Sequence, residues 1–148
     1  MGALFVFSLG ILYANILEWF VHKHLFHGLG KKKGSMFAFH LRDHHIESRN
    51  NDFLDLRVTK RETFGILGLL VVHLPIYFHL SSIFYVGLVV YGVLFLVLHK
   101  LMHTSPASAQ KYFWWHWNHH MRNQNKSWGV VLPLTDLIVG SLEPKEEQ

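Results

Sequence analysis

A chain of 148 residues is long enough for one domain with one core, and half of this one is hydrophobic, 15% aromatic and only 16% charged, against about 25% charged in ordinary soluble domains. The absence of cysteine excludes disulfides, thiolate zinc sites and cysteine-ligated iron–sulfur clusters. The net charge of +4 raises the question of nucleic acid, but the Lys and Arg residues fall in no nucleic-acid-binding motif, and no nucleic-acid partner is expected.

Ala3 to Val21 is an apolar run interrupted only at Asn15 and Glu18, close to the roughly 20 residues that a spanning helix needs. A cleaved signal peptide is the weaker reading, because the run has no basic start and no small-residue cleavage site. A polar stretch from His22 to Thr63 follows and includes Lys31-Lys32-Lys33. Phe64 to Leu80 and Ile83 to Leu98 are two more apolar runs, joined at Ser81-Ser82. As one helix they would be about 50 Å long, too long for a hydrocarbon core of roughly 30 Å. A helical hairpin is therefore expected, its first arm kinked at Pro75. The aromatic run Tyr112 to Trp117 suits the headgroup layer. Gly129 to Leu142 is apolar but too short to span, and reads as a re-entrant or interfacial segment or as a piece packed against the hairpin. Glu143 to Gln148 reads as a frayed tail.

The expectation is a single domain over residues 1–148, an all-α integral-membrane bundle of about three transmembrane helices with a histidine-rich helical cap. Nine of the Lys and Arg residues lie between Lys23 and Arg61 and the other five from Lys100 onward. With the N-terminus outside, three spans place all of them on one face, which the positive-inside rule makes cytosolic.

Thirteen histidines are far more than composition explains, and ten of them form four groups: His22 and His27; His40, His44 and His45; His99 and His103; His116, His119 and His120. A helix advances about 100° per residue, so His99 and His103 share a face, as do His40 and His44, and His116 can converge with His119 and His120. His22 and His27 diverge by about 140° on such a helix; they either serve different ions or sit where the helix unwinds. The three-span layout brings all four groups to one membrane edge. Neutral imidazole is the commonest protein metal ligand, and ten donors fit two ions with about five each. His24 is expected to face lipid headgroups and His79 to be interfacial. His73, inside a span, is either functional or a neutral hydrogen-bonded residue.

Ten donors are excessive for hydrolytic zinc, which keeps an open position and usually three protein ligands. A pair of redox metals on neutral ligands can instead bind dioxygen and oxidise an unactivated C–H bond. At the membrane edge the substrate would be an acyl or isoprenoid chain, with the hairpin and the aromatic run forming its slot. No nucleophilic Ser or Cys motif competes, and no catalytic residue is expected beyond the metal ligands. A ligating histidine usually donates its other N–H to a carboxylate or carbonyl. Glu18, four residues before His22, is the favoured orienting group, with Asp43 and Asp136 behind it. A non-catalytic metal-binding protein or transporter is the rival from another class, but only Asn15, Glu18 and His73 lie within the spans to line a path.

The order H-x-x-x-x-H, H-x-x-x-H-H, H-x-x-x-H, H-x-x-H-H from His22 to His120 resembles the histidine boxes of the fatty acid hydroxylase superfamily. The following GVVLPLTDLIVGSLEP resembles that family's closing segment, so the resemblance runs from about Asn15 to Pro144. The first box reads His22-Lys23 where the family usually has His-Arg, and HKHLFHG is also similar to carotenoid ring hydroxylases. The resemblance implies a non-haem centre of two iron ions, with zinc able to replace iron in isolated protein. It further implies dioxygen, a lipid substrate and an external two-electron donor. No His-Pro-Gly-Gly haem motif is present, so the donor is expected to be a separate ferredoxin or cytochrome b-type protein. Fatty acyl hydroxylation is the first expectation; carotenoid or sterol hydroxylation, or desaturation, is the alternative within the superfamily.

Overall fold

The computed structural model describes residues 2–57 and 59–145, and the last part of the expected tail, residues 146–148, lies outside them. Every regular element among the described residues is helical. Helix α1 (Ala3–Phe20) continues without a break into a π-helix, Val21–Gly28, and a 3-10 turn, Leu29–Lys31. A second π-helix, His40–His45, runs into α2 (Ile46–Asn50). Then come α3 (Thr59–Val72), α4 (Leu74–His79), α5 (Ser82–Thr104), α6 (Pro106–Tyr112), α7 (Trp114–Met121) and α8 (Leu134–Val139).

Three helical stretches are long and apolar enough to cross a membrane: Ala3–Lys31, Lys60–His79 and Ser82–Thr104. Leu4, Phe64, Val71, Val72, Val93 and Val97 lie exposed on them, an apolar surface far beyond what a soluble monomer shows and of the kind that lipid covers. The expected all-α, three-span membrane bundle is the observed architecture. The hairpin turns where its sequence suggests, with the Ser81 hydroxyl accepting from the Phe84 N–H at 3.2 Å to cap α5. Pro75 does not kink a helix. The first arm is interrupted at His73, and Pro75 sits in the first turn of α4, where its missing N–H leaves no hydrogen bond unmade.

The α1–α5 contact organises the bundle. Along α5 the buried residues Gly87, Leu88, Tyr91, Gly92, Phe95, His99, Met102 and His103 form one helical stripe. The helices touch through Gly10 and Gly87: a Cβ at Gly10 would stand 2.3 Å from the Phe84 carbonyl oxygen, and one at Gly87 2.7 Å from that of Phe7. Close approach through small residues is how helices pack where lipid removes the hydrophobic drive between them.

The short apolar segment after α7 neither spans nor packs on the hairpin arms as a unit; it is stitched to α1. Asn15 is 1% exposed and uses its whole amide. Its Nδ2 donates to the Tyr91 hydroxyl (2.7 Å) and the Leu132 carbonyl (2.8 Å), and its Oδ1 accepts from the N–H (3.1 Å) and hydroxyl (2.7 Å) of Thr135. Glu18 accepts from the N–H groups of Val130 and Val131 and from the Tyr91 hydroxyl. Trp19 donates to Asp136 at 3.1 Å. The polar interruptions of the first apolar run are thus the sites where the closing segment is held, and each buried polar group has its partners.

Candidate metal centre

His22 and His27 stand toward the C-terminal end of the first apolar stretch, and α5, packed along α1, brings His99 and His103 to the same end. All ten grouped histidines are buried, none more than 5% exposed. They gather into two sets of five, in each of which the candidate ligand atoms lie within 4.8 Å of one another: His22, His27, His40, His45 and His119 in one, His44, His99, His103, His116 and His120 in the other.

Helix type decides which histidines meet. In the second set, His99 with His103 and His116 with His120 are spaced by four on α-helices α5 and α7 and share a face. In the first set, His22 with His27 and His40 with His45 are spaced by five, and both pairs sit on π-helices. A π-helix bonds i to i+5 and takes roughly 4.4 residues per turn, so residues five apart are offset by about 50° rather than the roughly 140° of an α-helix and share a face. This corrects two expectations. His22 and His27 do not diverge: both fall in the same set, on a helix wound more loosely than an α-helix. His40 pairs with His45, while His44 points into the other set. His119 likewise separates from His116 and His120. The two His-His dipeptides, whose neighbouring rings point about 80–100° apart on their π- and α-helices, each supply one ring to each set.

The nitrogens are placed as ligands would be. Nε2 atoms face each other at 2.9 Å (His22, His40), 3.2 Å (His40, His45), 3.1 Å (His27, His119) and 3.2 Å (His103, His116). Two nitrogens bound at right angles to one ion at about 2.1 Å would stand about 3.0 Å apart. His44 Nε2, His99 Nε2 and both ring nitrogens of His120 are buried with no hydrogen-bond partner among the described residues, a costly condition that a bound cation relieves. The donor set therefore fits metal.

Each set takes its orienting acceptors from its own stretch of chain. In the first, Nδ1 of His22 donates to the Trp128 carbonyl at 2.5 Å and Nδ1 of His119 to the Lys126 carbonyl at 2.7 Å. In the second, His44 donates to Asp55 at 2.9 Å, His103 to the Phe53 carbonyl at 2.9 Å and His99 to Glu62 at 3.1 Å. Donation from Nδ1 leaves Nε2 unprotonated, with its lone pair turned into the cluster. Non-glycine residues with positive φ fall at these same stretches, at Asp52 (50°), Phe53 (76°) and Ser127 (56°), a backbone state that L side chains rarely adopt.

The three carboxylates expected to orient histidines do not touch them. Glu18 is spent on Tyr91, Val130 and Val131, and reaches His22 only at one remove, by holding the segment that presents Trp128. Asp43 is half exposed and pairs with Arg42 and Arg61 at 3.1 and 2.9 Å, which lower its pKa. Asp136 accepts from Gly129 N–H, Trp19 and Ser141 and closes the last segment on itself. Asp55 and Glu62 take the orienting role instead. Neither stands at helical spacing from the histidine that it meets, so sequence spacing carries no signal for them.

Outside the spans, burial holds the imidazoles of His40, His45, His116, His119 and His120 well below the ordinary histidine range, and neighbouring imidazoles add to the effect. Burial also lowers His44, against the opposing bond to Asp55. Neutral rings are the form that binds metal. The remaining histidines stay apart: His24 is exposed against Trp19 and Phe20, His79 is exposed, and His73 bonds the Tyr13 hydroxyl at 2.9 Å and its own Leu69 carbonyl at 2.8 Å.

Beside the clusters lies an apolar cavity of about 560 Å³ between α1, α3 and α5, with Leu17, Phe26, Phe37, Leu69 and Phe95 among its walls. The hairpin contributes to it as expected. The Tyr112–Trp117 run does not, because α6 and α7 hold it away from the cavity, where Trp115 donates to the Val130 carbonyl at 3.2 Å. Glu62 is shared between cavity wall and histidine site.

No curated protein and no solved structure matches the chain. The profile of the fatty acid hydroxylase family matches residues 7–141, a span that takes in both clusters, the cavity and the segment stitched to α1. A match over all but the two ends, on a fold that gathers the histidine boxes it is built around, places this chain in the fatty acid hydroxylase family.

Proposed function

We propose that the chain is a membrane-bound di-iron monooxygenase that hydroxylates a C–H bond of a lipid, first of all a fatty acyl chain. The observation that carries this reading is the pair of five-imidazole sets, fully buried and lying beside an apolar cavity of about 560 Å³. The balanced reaction is R–H + O2 + 2 e⁻ + 2 H⁺ → R–OH + H2O. Two iron ions, when bound, would supply the redox chemistry that dioxygen activation needs.

The protein's own share is to bind, orient and exclude. The ten imidazoles hold the ions, five of them (His22, His44, His99, His103 and His119) through Nε2 atoms left bare by Nδ1–H donation. Leu17, Phe26, Phe37, Leu69 and Phe95 take up an acyl chain from the bilayer and keep water from it. The electrons come from a separate ferredoxin or cytochrome b-type protein. The basic residues around the histidine edge favour that edge as the cytosolic one and suit an acidic donor.

Lipid profiles of cells that express the chain with a reductase, against cells that express His119→Ala, test the reading. The expected result is a hydroxylated acyl lipid, labelled from isotopic dioxygen, that the variant fails to make. A carotenoid or sterol product would move the substrate class, and identical profiles in all three pools would refute the enzyme.

A further inference from the structure

We infer that the Glu62 carboxylate is an oxygen ligand to the metal pair, closing the centre on the side that faces the cavity. This rests on the dimetal reading above. A carboxylate oxygen of Glu62 and ring nitrogens of His40 and His44 lie within 4.8 Å of one another, and those two histidines belong to different sets of five. Glu62 is 4% exposed, and it lines the cavity whereas none of the ten clustered histidines does. Phe26 and Phe95 also line the cavity and lie against His40 and His99, but among the described lining residues Glu62 is the one that brings a donor atom to the centre.

The chemistry favours the assignment. Ten neutral imidazoles leave the charge of two cations uncompensated in a dry interior, where an adjacent anion is strongly favoured. The other buried carboxylates have their oxygens engaged: Glu18 by Tyr91, Val130 and Val131, Asp136 by Gly129, Trp19 and Ser141, Asp55 by His44 and the Arg57 N–H. Both carboxylate oxygens of Glu62 stand 3.1 Å from the one Nδ1 of His99, which leaves about two of roughly four lone-pair sites of the carboxylate open. Its place in the first turn of α3 directs the charge to the favourable end of that helix.

The test is the Mössbauer spectrum of the iron-loaded wild type, Glu62→Gln and Glu62→Ala, together with the rate of iron loss to a chelator. A glutamine keeps an acceptor for His99 but is neutral. Glu62→Gln is expected to shift the signals of both iron sites and to lose iron about tenfold faster or more. Were Glu62 only an orienting acceptor, both variants would disturb the site of the His99 set alone, Glu62→Gln less than Glu62→Ala; that outcome overturns this inference and leaves the di-iron reading standing. A wild-type chain that takes up no iron overturns both. Glu62→Gln carries the test even where Glu62→Ala fails to fold.

Discussion

The imidazoles of His45 and His120 stack face to face, 4.0 Å between centroids and 15° between planes, although each belongs to a different set of five. Each has its chain neighbour in the opposite set, His44 and His119 respectively. The two sets are therefore distinct as donors but joined mechanically through the His-His dipeptides. Removing a ring that belongs to a spaced pair is expected to empty one set and spare the other. His27→Ala and His103→Ala should each lower bound metal from about two ions per chain toward one, and each should abolish activity. His24→Ala, at an exposed ring outside both sets, should change neither. Elemental analysis of purified protein decides, and equal loss in His24→Ala would mean that histidine number rather than position matters.

Asp55 is the acceptor that fixes His44, at 2.9 Å from its Nδ1, with both side chains about 5% exposed or less. Removal of such an acceptor frees the ring to take the other tautomer, and typically costs about 10- to 100-fold in metal affinity. Asp55→Ala should show that loss in chelator competition. Asp55→Asn, which can still accept from Nδ1–H, should fall in between. Because the acceptors of the first set lie on residues 126–128, the loss should fall on the His44 set.

Much of this centre is legible in the sequence, and the boundary has a physical cause. His99 and His103 are read correctly because a long apolar helix has the α period, and that period puts residues four apart together. His22 with His27 and His40 with His45 are misread under the same assumption, since a π-helix leaves no compositional trace. The membrane hairpin is legible because helix length and bilayer thickness must agree. The partners of Asn15 and Glu18 on the closing segment are not, because they lie more than 100 residues away on a segment without periodicity of its own. The same holds for Asp55 and Glu62, which reach their histidines across loops and helices rather than along one.

That long-range stitching couples α1 to a single set of ligands. Asn15 holds Leu132 and Thr135, and the same segment presents the Lys126 and Trp128 carbonyls to His119 and His22. Asn15→Leu would take the Asn15 partner from buried groups on Leu132 and Thr135, while Tyr91 keeps its bond to Glu18, at about 1–3 kcal/mol for each group left unsatisfied. The expected outcome is a lower unfolding temperature in detergent and preferential loss of metal from the His22 set. Loss spread evenly over both sets would show that the segment supports the fold generally rather than this set.

Removal of the metal should expose a pH dependence whose sign follows from burial. In the metal-free protein His40, His45, His116, His119 and His120 resist protonation because they are buried, whereas in the unfolded chain they take a proton near about pH 6.5. Below that value the unfolded state binds more protons than the folded one, so stability falls as pH falls, by about 1.4 kcal/mol per pH unit for each proton of difference. Above it the contribution is fully present. Denaturant titrations of the metal-free protein between about pH 8 and pH 5 should therefore show a steep decline on the acid side, starting near the unfolded-state value. Metal-loaded protein should hold its stability to lower pH, because protons must then displace the ions as well. A flat profile for the metal-free protein would mean that these rings are already charged or solvated when folded.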